Sequence, residues 1–485
     1  MPPSRRRGAG LSLALAALLR VAAAADSGGP ALGAQLAREV AAAQQAARSV
    51  GVHVVDLAGG TEVFGYQADH LRVLASNTKL FTTAAALARL TPEHRFETRF
   101  LMRGTLDAAG TLAGDLAVVG AGDPNLSGRF HGGDSLAPFR PFARELRARG
   151  IRRIGGDLHL VNGIFEEPRI HPDWPRDQLS AWYEAPIEAL TFNDNCVLVK
   201  VRPGPRPGQP ARVETVPRLD HFEIRNSART SSGRGRLIVA RRIGSDTILV
   251  SGTIRSGSAP SEIWVAVEDP VAYFAAAVRA TLAEEGVELD RGHRYDHGLP
   301  PGEWQPVHVH ESALAPTLAV TNKRSQNLYA ESLAKLLGFT ASGQGSWPGA
   351  VAAISEFLIE LGIAAGDFSL ADGSGLSRAN VATPRAVTRL LERMYFHPYG
   401  REFLLSLPFS GEEDLSWRRR LAEPPYRGNV FAKTGTLNGV STLSGYAKAV
   451  SGRVYAFSIL LNDTRGASVS RAAQDRIVRA LVDGG

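Results

Sequence analysis

The stretch Val73–Leu87, VLASNTKLFTTAAAL, sets Ser76 and Lys79 three residues apart at the start of an alanine-rich run. Good helix formers without glycine or proline predict a helix opening at Ser76 and running to about Leu90. Ser76 then lies at its amino end, with Lys79 one turn inside on the same face. The chain is poor in lysine and rich in arginine, so a lysine here is informative. Arginine stays charged, whereas lysine loses its proton when buried or crowded by another cation. A serine beside such an amine is a candidate activated nucleophile. The same spacing also arises by chance, so the rest of the chain must decide.

Upstream, ALGAQLAREVAAAQQAA reads as a helix, and VGVHVVDLAGGTEVFGYQAD as two strands around a Gly-Gly turn. Ahead of these, Arg5, Arg6 and Arg7, a short apolar run from Leu11 to Leu19 and the segment AAAAD read as a signal peptide over residues 1–25. The apolar run is too short for a membrane anchor, and Arg20 interrupts it. The paired arginines also suit a twin-arginine export route. Loss of the leader lowers the formal charge from +7 to +3, which gives no argument for nucleic-acid binding. Cys196 is the one cysteine, so no internal disulfide forms. Nothing after residue 25 is long and apolar enough to span a bilayer, so membrane association is at most peripheral. The expected product is exported, to the periplasm or another extracytoplasmic space.

Downstream the style changes twice. From about Glu97 to Val161, strands such as GDLAVVG alternate with the helix FRPFARELRARG. From roughly Trp174 to Trp264 the chain is rich in strands, including CVLVKVRPG and DTILVSGTI, with RPGPRPGQP as a loop. A helix follows in DPVAYFAAAVRATLAEEGVEL, and PGEWQP near Pro301 marks a boundary. Beyond it come helices, then strands at NVFAKTGTL, STLSGYAKAV and RVYAFSILLND, then a last helix. The two ends share one mixed α+β style, and the middle reads as inserted.

Two later stretches complete the opening motif. KRSQNLYAE places Ser325 and Asn327 two apart, and VFAKTGTLNG puts Lys433, Thr434 and Gly435 on a predicted strand. The ordered set S-x-x-K, S-x-N and K-T-G is the signature of penicillin-binding proteins and serine β-lactamases. The mature chain resembles the D-alanyl-D-alanine carboxypeptidase/endopeptidase family of the penicillin-binding protein 4 type. The long interval between Ser76 and Ser325 separates it from class A β-lactamases. GAGDPNL at Gly120–Leu126, ALTFNDNCVLVKVRPG and DGSGLSRAN at Asp372–Asn380 also resemble that family.

The resemblance implies a penicillin-binding/β-lactamase-like transpeptidase domain over 26–96 and 302–485, an antiparallel sheet flanked by helices. It implies an inserted second domain over 97–174 and 264–301 and a nested β-rich third domain over 175–263. It further implies cleavage of D-Ala–D-Ala termini or D-amino-acid cross-links in peptidoglycan through an acyl-enzyme on Ser76. Peptidoglycan stem peptides and β-lactam antibiotics are the implied partners, with no cofactor and no metal; the oligomeric state stays open. Ser76 attacks, with Lys79 the preferred base because Lys433 crowds it, although which group takes the first proton is open for such sites. Ser325 relays a proton to the leaving amine, and Asn327 orients Lys79 and the substrate amide. Lys433 and Thr434 suit a terminal carboxylate, and Gly435 permits close approach of the strand. The N–H groups of Ser76 and Thr436 form the oxyanion hole. Arg378 has two readings, binding a substrate carboxylate with its planar fork or tying down its own turn.

Two departures stand out. Relatives carry a GvDGTL-like stretch where this chain reads SGEEDLSWRRRL, and GDLHLVNGIF lacks an aspartate common after GDL. The first raises an alternative, a wall-binding protein that is inactive or weakly active; a β-lactamase is a further enzymatic one. His308 and His310 share a strand face but have no third metal ligand in view, and the surface reading is preferred. Trp182 and Tyr183 read as packing residues rather than a sugar surface, and Ser416–Leu421 as a solvated face.

Overall fold

The computed structural model describes residues 29–485, so the expected leader lies outside the described residues. They form two compact units. The first joins the residues up to Pro92 with Leu318–Gln326 and Ala350–Gly485. The second joins Glu93–Thr317 with Asn327–Gly349. No helix among the described residues is long and apolar enough to cross a membrane.

The first unit is built on a five-stranded sheet. Helix α1 (Gly29–Ala43) leads into the hairpin β1 (Ala47–Asp56) and β2 (Thr61–Tyr66), and α2 (Thr78–Leu90) follows. Much later come α3 (Pro384–Tyr395), β3 (Val430–Leu437), β4 (Val440–Lys448), β5 (Val454–Thr464) and α4 (Ala467–Gly484). The strand order is β2-β1-β5-β4-β3, antiparallel throughout. Strand periodicity sorts the side chains. Val52, Val54, Phe457, Ile459, Leu443, Val430 and Ala432 pack on one face against Leu36 and Val40 of α1 and Ile477 and Leu481 of α4. The residues between them face the other way, where His53 of β1 meets Thr388 of α3 at 2.5 Å.

β3 is an edge strand. Its first residues are covered: Ser410 donates its N–H to the Val430 carbonyl at 2.9 Å, and Ala432 donates to Pro408 O at 3.0 Å. From Lys433 to Leu437 only the β4 side is paired.

In the second unit, a seven-stranded sheet centres on Thr111–Val119 and Arg95–Leu106, with Gln305–Ala313 at one edge. Helices Arg140–Ala148 and Pro270–Glu284 bury Phe139, Phe142, Tyr273 and Phe274 in its core. Asp269 caps the longer helix through the N–H groups of Val271 and Ala272, at 3.1 and 3.0 Å. Residues 196–266 add a three-stranded and a four-stranded sheet around Val197, Val199, Ile248 and Val250.

Candidate active site

Ser76 sits in a single 3-10 turn, Ala75–Asn77, immediately before α2. The sequence predicts the α-helix to open at Ser76, whereas regular α geometry starts at Thr78. The cause is local: Ala75 adopts φ 47, which tightens the turn ahead of the serine. Three contacts hold the turn. Leu74 donates its N–H to Asn380 O at 3.0 Å, Thr442 Oγ1 donates to Leu74 O at 2.8 Å, and Asn77 Nδ2 donates to Lys433 O at 3.1 Å.

Lys79 is buried one turn inside α2. Its Nζ lies 3.2 Å from Ser76 Oγ and 2.7 Å from the carbonyl oxygen of Ser374. That carbonyl belongs to the loop Asp372–Asn380, which folds around its own first and last side chains. Asp372 accepts from the N–H groups of Ser374, Gly375 and Ser377 at 3.2, 2.6 and 2.6 Å, and from Asn380 Nδ2 at 2.8 Å. Gly375 is required there, because its φ is +85 and a β-carbon would fall 1.8 Å from Ala75 O. The sequence singled out this loop only as a family-like stretch. Its role as a backbone cradle for Lys79 carried no side-chain signal, although the paired Asp372 and Asn380 around glycines are the mark of such a loop.

Lys433, on the β3 face opposite α1 and α4, is also buried. Its Nζ donates to Ser325 Oγ at 2.9 Å and to Thr434 O at 2.6 Å. Burial holds its pKa well below the usual lysine value, and the neighbouring Lys79 lowers it further. Ser325 is held at φ 56, in the left-handed region that a serine seldom adopts. Gly435 lies against the Ser76 turn: a β-carbon on it would meet Thr442 Oγ1 at 2.2 Å, Leu74 O at 2.8 Å and the Ser76 nitrogen at 2.9 Å. Only glycine lets β3 come this close.

The first unit thus brings together Ser76, Lys79, Ser325, Lys433 and Gly435. Thr434 is half-buried and Thr436 exposed on the same strand. Arg378 is exposed, and its guanidinium donates to the carbonyl of Asn438 in the turn after β3. Asn327 belongs to the second unit, where it opens the helix Asn327–Ser342 and donates from Nδ2 to Tyr183 O at 2.8 Å.

The altered segment also takes shape. Glu412 pairs with Lys323 at 2.7 Å, and Arg324 donates to Asp414 O at 2.8 Å. Arg418 and Arg419 are exposed, as a solvated face would be, but Trp417 is buried in the core and Arg420 is pinned by Asp475 at 2.7 Å. His308 stacks near Phe100, and His310 faces the buried Asp123 at 3.6 Å. Among the described residues no cluster of metal-ligating side chains occurs.

Comparison with known proteins bears on the family and the fold. The family model described as the D-Ala-D-Ala carboxypeptidase 3 (S13) family matches residues 32–483. The chain is 34% identical over 452 residues to the D-alanyl-D-alanine carboxypeptidase of Actinomadura sp. (strain R39), covering 89% of this chain and 81% of that one. Its structure is similar to the crystal structure of penicillin binding protein 4 (dacB) from Haemophilus influenzae, with a TM-score of 0.79 and 26% identity over 91% of this chain and 98% of that one. The same protein complexed with a novel β-lactam gives a TM-score of 0.73 at 25% identity, over 91% and 98% of the chains. The fold is the mixed α/β penicillin-binding/β-lactamase-like one. A match spanning nearly all described residues places this chain in the D-Ala-D-Ala carboxypeptidase 3 (S13) family.

Proposed function

We propose that this chain is a serine DD-peptidase that cleaves D-alanyl-D-alanine bonds of peptidoglycan stem peptides, with Ser76 as the residue acylated. The observation that carries the reading is the Ser76 hydroxyl 3.2 Å from the Lys79 amine, backed by the Lys433–Ser325 contact at 2.9 Å. A neutral Lys79 removes the hydroxyl proton as Ser76 attacks the carbonyl, since a serine needs an adjacent base to become nucleophilic. The proton passes through Ser325 to the leaving D-alanine amine, and water later releases the acyl group. Thr434 and Lys433 receive the terminal carboxylate, and the N–H groups of Ser76 and Thr436 take the developing oxyanion. Asn327 orients the substrate amide, and Arg378 meets a carboxylate on the acyl side.

β-Lactams acylate the same serine, because their strained amide presents the carbonyl and carboxylate of the peptide. The chain acts outside the cytoplasm, exported by its leader. The catalytic domain is 26–96 with 302–485, interrupted by a second domain at 97–174 with 264–301 and a third at 175–263.

Labelling with a fluorescent penicillin, then hydrolysis of a D-Ala–D-Ala peptide, tests the reading. Wild type should label and release D-alanine, and Ser76→Ala should do neither while keeping its thermal midpoint. Labelling that persists in the alanine variant, or labelling without turnover in wild type, overturns it.

A further inference from the structure

At the β1–β2 end of the first unit, a cavity of about 320 Å³ opens between the hairpin and α3. Its volume lies at the lower end of the range for small-molecule sites, about 300–1,000 Å³. Two strands, β5 and β4, separate β1 from β3, which puts the cavity about 14 Å along the sheet from β3. It shares no lining residue with the Ser76 site.

The floor is firmly held and neutral. His53 is 2% exposed and is held through both ring nitrogens. Thr388 Oγ1 donates to Arg385 O at 3.0 Å, so it accepts from His53 Nδ1–H. Nε2 is then the bare nitrogen, and Arg385 Nη1 donates to it at 2.9 Å. Burial lowers the His53 pKa from 6.5, with Glu62 opposing the fall and Arg385 adding to it. Val55, Ile363 and Ala386 give the lining its apolar part.

The charge around this floor is unbalanced. Within the lining, Glu62, Asp367 and Glu392 stand against Arg385 and Arg389. Arg385 is shared between Glu62 and, outside the lining, Asp69. Arg389 donates to Glu392 Oε2 at 2.8 Å, and Arg393 lies outside the lining on the Leu361 carbonyl, at 3.3 Å. Asp367 has no hydrogen bond or ion pair on its carboxylate among the described residues, and Glu392 Oε1 has none either. Every guanidinium of the lining thus has its carboxylate, and Asp367 is a charge without a counterion. A cation bound beside it would supply one, through charge-assisted hydrogen bonds.

We propose that this cavity binds a small organic cation, an alkylammonium whose head is taken by Asp367 and Glu392 and whose carbon stem lies along the apolar lining. The site is separate from the Ser76 chemistry and does not depend on it.

The test uses the full chain at pH 8 and constant ionic strength, with sodium chloride as the balancing salt. It is titrated with cadaverine, with N-acetyl-lysine and with 1,5-pentanediol, which keeps the stem and lacks the charge. The expected result is a saturable rise in thermal midpoint with an amine and none with the diol. Asp367→Asn removes no contact of the fold, and it should weaken amine binding about tenfold or more, the loss of one charged hydrogen bond. Glu356→Gln, on an exposed residue outside the lining, should leave binding unchanged. A rise with cadaverine alone assigns a free diamine, and a rise that includes N-acetyl-lysine assigns the side chain of an amino acid; either supports the site. No saturable rise with either amine, an equal rise with the diol, or amine binding unweakened by Asp367→Asn overturns it.

Discussion

Lys79 and Ser374 meet through an amine and a backbone carbonyl, 2.7 Å apart. A carbonyl accepts a hydrogen bond from a neutral amine as well as from an ammonium. A carboxylate in its place would favour the charged form and silence the base. The Ser374 carbonyl therefore positions the Lys79 amine without itself demanding a charge on it, which suits the base proposed for Lys79.

Lys79→Arg tests that requirement directly. Arginine keeps the charge and much of the length but stays protonated. The rate of acylation by penicillin should fall at least about a hundredfold, the low end for loss of a general base. A near-normal rate would make Lys79 a structural cation.

Lys433 carries a stability cost that should be measurable. Its folded pKa lies well below the ordinary 10.5, so its contribution to stability is fully present above pH 10.5 and is lost as pH falls through the folded value. Lys433→Met, which keeps the length and drops the amine, should stabilise the protein at pH 7 by about 1–4 kcal/mol while ending acylation. The gain should shrink as pH approaches 10.5. Denaturant unfolding at pH 7 and pH 10 measures it, and an unchanged or lower stability at pH 7 would refute the cost.

Gly435→Ala should separate folding from catalysis. The added β-carbon has no room against Thr442, Leu74 O and the Ser76 nitrogen, so β3 must move away from the Ser76 turn. Overpacking of this kind costs about 1–3 kcal/mol. Penicillin acylation should drop by more than that loss of stability explains, measured on protein shown by circular dichroism to be folded.

Glu184 predicts a pH effect elsewhere. It is buried in the turn Trp182–Glu184, and neither carboxyl oxygen has a hydrogen-bond partner among the described residues. Burial raises its pKa from 4.5 to about 7, with Asp177 adding to the rise and Arg176 opposing it. A raised carboxyl contributes stability that is fully present below about pH 4.5 and lost as pH climbs through about 7. Between pH 5 and pH 8, wild type should lose up to about 3 kcal/mol more than Glu184→Gln. Parallel urea curves for the two proteins at both pH values would contradict this.

The sequence made the candidate side chains legible because the chemistry proposed for them restricts their types. Ser76, Lys79, Ser325 and Lys433 stand where the three motifs put them, and K-T-G falls on a strand as its neighbours suggested. Backbone partners left no such trace. Nothing in the identity of Ser374 says that its carbonyl holds Lys79, and nothing local says that Ser325 is left-handed. Ser416–Leu421 misled for another reason. A local run of arginines reads as solvated, but the Asp475 that pins Arg420 and the core that takes Trp417 come from distant parts of the chain.

The partly covered edge of β3 has a last consequence. Unpaired N–H and C=O groups on an edge strand invite another chain to add itself, a hazard in most proteins. Here Pro408 and Ser410 close the first half and the Lys433 amine takes the Thr434 carbonyl, leaving a strip up to Leu437 that is paired to a strand on the β4 side alone. On the function proposed, an extended peptide laid along that strip would become a sixth strand, read mainly through its main chain. Side chains that alternate away from the strip would then be free to vary, so stems of differing composition would share one backbone register.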